Sequence, residues 1–184
     1  MTLDSPTRSR TDRLSRSSAA HSFPNMTRRA DDATTPATLG ERASSRAVAH
    51  IARGGAVVLF DGVCNLCNAS VLFVIDRDPG GHFAFAPLQS PAAASLLAER
   101  GFVGAELSSV LLVEGDRVRT RSGAALGMVR RLSGAWPLLS ALMIVPRPIR
   151  DAVYDWIGRN RYRWFGRQDE CRIPTPELSS RFVG

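Results

Sequence analysis

The sequence predicts a small layered α/β domain, a mixed four-stranded sheet flanked by helices, with extra helices at its C-terminal end. Three observations predict it. Short β-branched and aromatic runs recur, each bounded by Gly, Asp or Pro. Helical-period apolar segments separate the first of these runs from one another. Gly115-Asp116 then joins two further runs as a tight hairpin.

The elements follow in order. Ala56–Phe60 (AVVLF), between Gly54-Gly55 and Asp61-Gly62, is a buried strand. Ala69–Ile75 (ASVLFVI) continues at helical spacing until Asp76–Gly81 ends it. His82–Ala86 (HFAFA) alternates, with Phe83 and Phe85 on one face and His82, Ala84 and Ala86 on the other. Pro91–Arg100 opens on a proline and stops at Gly101, which marks a helix. Val110–Val113 and Arg117–Thr120 are the hairpin strands. Ser122 is placed to cap a helix running to about Leu132. A second helical piece follows Pro137 and breaks at Pro146 and Pro148. The last helix spans Ile149 to about Asn160, with Val153, Trp156 and Ile157 as its core-facing stripe and arginines opposite. Trp164 and Phe165 are expected to pin the tail to the domain, and residues 161–184 to run extended over the surface.

Composition bounds the rest. The chain has 184 residues and a formal net charge of +7, enough for one hydrophobic core. Every basic residue except histidine is arginine. The absence of lysine excludes a Schiff-base lysine and the lysine-bearing phosphate loop. Residues 1–50 are rich in Ser, Thr, Ala and Arg, with Phe23 their only aromatic, and are read as a disordered tail. Residues 51–184 form the domain, with a helical extension from about 136. No secretory apolar stretch stands at the N-terminus, and the most apolar window, Ala135–Pro146, falls short of the ~20 residues a membrane span needs. The expected location is therefore cytoplasmic, where a close cysteine pair is reduced and points to catalysis or metal binding.

The chemistry lies after the first strand, in Asp61-Gly-Val-Cys64-Asn-Leu-Cys67. Two cysteines three apart, opening a helix after a buried strand, form a redox motif. Unpaired amides and the helix dipole favour a thiolate on Cys64, which is expected to be the exposed nucleophile. Cys67, one turn deeper, resolves the mixed disulfide. Asp61 either caps the helix, takes up a proton during exchange, or serves only as a turn residue. The alternative is a non-enzymatic binding protein in which the cysteines hold zinc or are merely structural. Cys64, Cys67 and Cys171 would then supply three ligands and His82, His50 or His21 the fourth. No cofactor is expected, because no nucleotide-binding fingerprint occurs.

These residues resemble the DCC family of predicted thiol-disulfide oxidoreductases, whose Asp-Cys-Cys signature is matched by Asp61, Cys64 and Cys67. The likeness extends through Leu107–Ala125 and to the ending Tyr162–Cys171, Pro174, Pro176 and Arg181-Phe182, covering about residues 56–182. It implies a thioredoxin-like fold and thiol–disulfide exchange of the protein-disulfide reductase type. The chain departs from ordinary thioredoxins in its Asn65-Leu66 spacer and in Ser108-Ser109, which stands where those proteins carry a cis-proline.

The implied partners are a disulfide-bearing protein or small thiol substrate and a reductant or redox relay protein. Arg147–Arg172 interleaves seven arginines with aromatics, but Asp151, Asp155, Asp169 and Glu170 dilute its charge. Nucleic acid is not expected as a partner. A weak contact with an anionic membrane surface is the lesser expectation.

Overall fold

The structure, a computed structural model, describes residues 36–102, 109–167 and 178–183. Helix α1 (Pro36–Ala52) leads into β1 (Ala56–Phe60), α2 (Asn65–Asp76), β2 (Phe83–Pro87) and α3 (Pro91–Ala98). The hairpin β3 (Leu111–Glu114) and β4 (Arg117–Thr120) follows, then α4 (Arg121–Val129). A 3-10 segment (Trp136–Ile144) and α5 (Arg147–Phe165) complete the main body, and a 3-10 turn (Ser179–Arg181) lies near the end.

The sheet order is β2-β1-β3-β4. The β1–β2 pair is parallel, with Ala56 opposite Phe83, because α2 carries the chain back across one face. The other two pairs are antiparallel. This mixed sheet between helices is a thioredoxin-like α/β fold.

Strand alternation divides the core in two. Val57, Leu59, Ala84, Ala86, Leu111 and Val113 point toward α1 and α3. Ala56, Val58, Phe60, Phe83, Phe85 and Leu112 point toward α2 and α4. A strand buried on both faces reads as a continuous apolar run, which is why AVVLF carries no polar residue. Gly127 brings α4 close to the sheet; a Cβ there would stand 2.8 Å from Leu112 Cδ2. Ser90 caps α3 by accepting from the Ala93 amide at 3.2 Å. Thr120, not Ser122, occupies the N-cap of α4.

Three expectations are corrected. First, the tail reading fails over residues 36–50. They belong to α1, whose Ala47 and Ile51 are buried in the core. The segment is polar because only a narrow stripe of a covering helix meets apolar neighbours.

Second, α5 lies the other way round. Val153, Trp156 and Ile157 are exposed, whereas Arg161 is buried. Polar anchors set this rotation. Ser122 bonds the Asp151 carboxylate, the Tyr154 hydroxyl accepts from the Val110 amide at 3.1 Å, and Arg161 pairs with Asp61. Third, residues 161–165 are helical, and Trp164 and Phe165 stay about half exposed instead of pinning the tail.

The C-terminus is held by charge and packing. Asp78 accepts from the His82 and Phe83 amides and pairs with Arg181, while Phe182 packs edge-on to Phe60. Among the described residues, no helix is long and apolar enough to cross a membrane.

Candidate active site

The site forms where β1 ends and α2 begins. A turn closes Asp61–Cys64, with the Cys64 amide donating to the Asp61 carbonyl at 3.2 Å. The Asp61 carboxylate also receives the Val63 amide at 3.3 Å, an Asx-type turn that holds the loop. Cys64 is then the N-cap residue of α2 in an extended conformation, and its carbonyl accepts the Asn68 amide. Asn68 reinforces this start through its side-chain amide, which donates to the Gly62 carbonyl at 3.0 Å. The motif therefore folds as strand, turn and helix, with both cysteines on the first turn.

Both thiols are free and lie close together at the start of α2. Burial pushes the Cys67 thiol up to about 12, and contact with Cys64 pushes in the same direction. Cys67 therefore keeps its proton at neutral pH. Cys64 departs from expectation in accessibility. It is 0% exposed, and its side chain makes no capping hydrogen bond with the helix. The end of α5 covers it: Arg167 bridges the Cys64 backbone, and the Asn65 side chain donates to the Phe165 carbonyl at 2.8 Å. Gly166 makes this approach feasible, at φ 80° and ψ 173°, a conformation that side chains avoid. A Cβ at that position would lie 3.2 Å from Asn65 Nδ2.

Asp61 is a buried hub. Arg161 pairs with its carboxylate at 2.8 Å, the Tyr162 hydroxyl donates to the same oxygen, and Gln89 donates to the other at 3.2 Å. The carboxylate thus fixes α5 against the cysteine loop. Sequence reading missed Arg161, Tyr162, Gln89 and Tyr154. The available signal was the spacing Tyr154, Gly158, Arg161, Tyr162, which falls on one helical face beside the apolar stripe.

Among the described residues, the proposed metal ligands His82 and His50 do not join the cysteines. His82 lies beside the first residue of β2, which pairs with the start of β1, at the sheet end opposite the cysteines. His50 meets the His82 carbonyl there at 2.9 Å. Cys171 and His21 fall outside the described residues. Among the described residues, no three Cys, His, Asp or Glu side chains gather as a metal site.

On the cysteine side, α2, α4, α5 and the sheet enclose a cavity of about 300 Å³. Cys67, Tyr154 and Arg161 stand in its wall, and the remainder is mainly apolar.

The family described as DCC1-like thiol-disulfide oxidoreductase matches residues 58–167. The Bacillus subtilis (strain 168) protein named "Uncharacterized protein YuxK" is 46% identical over 127 residues, spanning 69% of this chain and 93% of that one. The Arabidopsis thaliana protein named "DCC family protein At1g52590, chloroplastic" is 42% identical over 118 residues, 64% of this chain and 69% of that one. No solved structure gives a significant match. The match spans both cysteines, Asp61 and the Arg161 helix that closes over them, and the chain belongs to the DCC1-like thiol-disulfide oxidoreductase family.

Proposed function

We propose that this protein reduces disulfides by thiol–disulfide exchange, with Cys64 as attacking sulfur and Cys67 as resolving thiol. The carrying observation is the close pair of free thiols at the start of α2, of which Cys67 holds its proton. A thiol that keeps its proton is a poor first attacker, so that role falls to Cys64. The Cys64 thiolate attacks one sulfur of the substrate disulfide, forms a mixed disulfide and expels the other half as a thiolate. That thiolate takes the Cys67 proton. Cys67 then attacks the Cys64 sulfur, closes the Cys64–Cys67 disulfide and releases the second half, which takes a proton from water. A dithiol donor returns two electrons to the pair.

Exchange requires the Phe165–Arg167 cover to lift from Cys64. Asp61 acts at one remove, as a positioning residue that sets how firmly α5 is held. The test is a redox titration against glutathione with mass readout. A reversible two-electron loss confined to Cys64 and Cys67 supports the reading. Cys64→Ser should abolish turnover, and Cys67→Ser should accumulate a mixed disulfide on Cys64. Turnover unaffected by either change refutes the reading.

A further inference from the structure

The route to the cysteine pair restricts what can react with it. Cys64 is covered by the end of α5, whereas Cys67 lines the cavity between α2, α4, α5 and the sheet. A cavity of about 300 Å³ lies at the lower end of the ~300–1,000 Å³ range of small-molecule sites. Its walls include Phe60, Phe73, Val74, Met128 and Val129, so its interior favours hydrocarbon. The polar side chains are few: Ser70, and the cluster of Cys67, Tyr154 and Arg161. The Tyr154 hydroxyl already accepts from Val110, and Arg161 already pairs with Asp61. Ile157 lines the cavity and also lies on the exposed apolar stripe of α5, so apolar surface continues from the wall to the outside.

We infer that the cavity, whose wall carries Cys67, holds the apolar part of a small disulfide substrate and presents its sulfur–sulfur bond to Cys64 once the Phe165–Arg167 cover lifts. The substrate class is an alkyl or aryl disulfide, which should react faster than a disulfide in a folded protein or a charged peptide disulfide. This inference rests on the exchange reading and specifies its substrate. The electron balance is the one given above: one substrate disulfide becomes two thiols as the enzyme dithiol becomes a disulfide.

Gly158 supplies a discriminating variant. It lines the cavity, and a Cβ built on it meets nothing within 4 Å. Gly158→Leu therefore projects a side chain into the cavity while improving the helix propensity of α5. Gly158→Ala gains the same helix propensity with only one added carbon, so the difference between the two variants reports the volume filled.

The experiment measures kcat/KM for dimethyl, diethyl and dipropyl disulfide beside bis(2-hydroxyethyl) disulfide and glutathione disulfide. Binding of dipropyl sulfide, a redox-inert thioether, is measured in parallel by calorimetry. Each methylene that enters the cavity should raise kcat/KM about fourfold. Gly158→Leu should flatten this dependence and abolish thioether binding, and Gly158→Ala, which adds one carbon to the same wall, should reduce both to a smaller extent. Equal rates for the hydrophilic and apolar disulfides, or thioether affinity unchanged by Gly158→Leu, overturn the inference. Thioether binding lost in Gly158→Leu, but with no exchange on any disulfide, would refute the redox reading and the substrate assignment while leaving an apolar binding site. Exchange without thioether binding would refute the cavity assignment and leave the redox reading standing.

Discussion

Replacing Asp61 with asparagine tests how α5 is held over the cysteines. The side chains of Asp61 and Arg161 are 7% and 9% exposed. Their attraction is therefore weakly screened, and neither charge can recover its hydration when the other is removed. Asparagine keeps an oxygen for the Val63 amide and the Gln89 side chain, which stand at 3.3 and 3.2 Å. It leaves the Arg161 guanidinium buried without its counter-charge. Breaking a buried pair from one side costs about 3–5 kcal/mol. With a urea slope of ~2 kcal/mol per molar, the midpoint should fall by about 2 M. Two assays read the result. Urea unfolding followed by circular dichroism gives the global loss, and Cys64 alkylation gives local release of the α5 cover. If α5 opens as a unit, alkylation should accelerate at urea concentrations too low to unfold the sheet. Arg161→Met in the Asp61→Asn background should recover much of the loss, because the stranded charge is then gone. The reasoning is refuted if Asp61→Asn costs under about 1 kcal/mol and Cys64 reactivity does not change.

Four further outcomes are expected. Gly166→Ala forces a side chain into a backbone region that costs about 1–3 kcal/mol, so it should loosen the cover and raise the Cys64 alkylation rate with little effect on the sheet; peptide mapping after brief alkylation checks this. The rise of the Cys67 thiol from 9.0 to about 12 leaves it about a thousandfold less thiolate at pH 8 than an ordinary thiol, so its alkylation by iodoacetamide should slow in proportion. A raised value stabilises the fold fully below pH 9 and loses that contribution as pH climbs toward 12, so urea midpoints of the reduced protein should fall over this interval, and less so in Cys67→Ser. Asp78→Ala removes the acceptor of the His82 and Phe83 amides and the partner of Arg181, and should cost about 3–5 kcal/mol in urea unfolding, with Phe182 released from Phe85.

The strands were legible in the sequence because they obey local rules. AVVLF is buried on both faces, HFAFA splits its aromatics and alanines between two cores, and Gly115 takes the positive φ that the hairpin turn requires. The cysteine motif was legible for the same reason: strand, turn and helix start are contiguous in the chain. The cover over Cys64 was not. Its contacts join Asn65 to Phe165 and Asp61 to Arg161, both one hundred residues apart, and no local pattern encodes such a pairing. Helix α1 escaped detection because its buried contribution is narrow, with Ala47 and Ile51 set among polar residues.

The rotation of α5 links these observations. Hydrophobic periodicity alone turns Val153, Trp156 and Ile157 inward and Arg161 outward. The structure turns Val153 and Trp156 out and Arg161 in, with Ile157 at the boundary, because an isolated buried carboxylate at position 61 would cost far more than exposing apolar side chains. Asp61 follows a fully buried strand and has no route to solvent without breaking the loop that positions Cys64. Arg161 satisfies that carboxylate, and the rest of the helix is placed by the pairing. The signature aspartate thereby determines which face of α5 meets the cysteines, which residues line the cavity at Cys67, and which hydrophobic stripe is left outside.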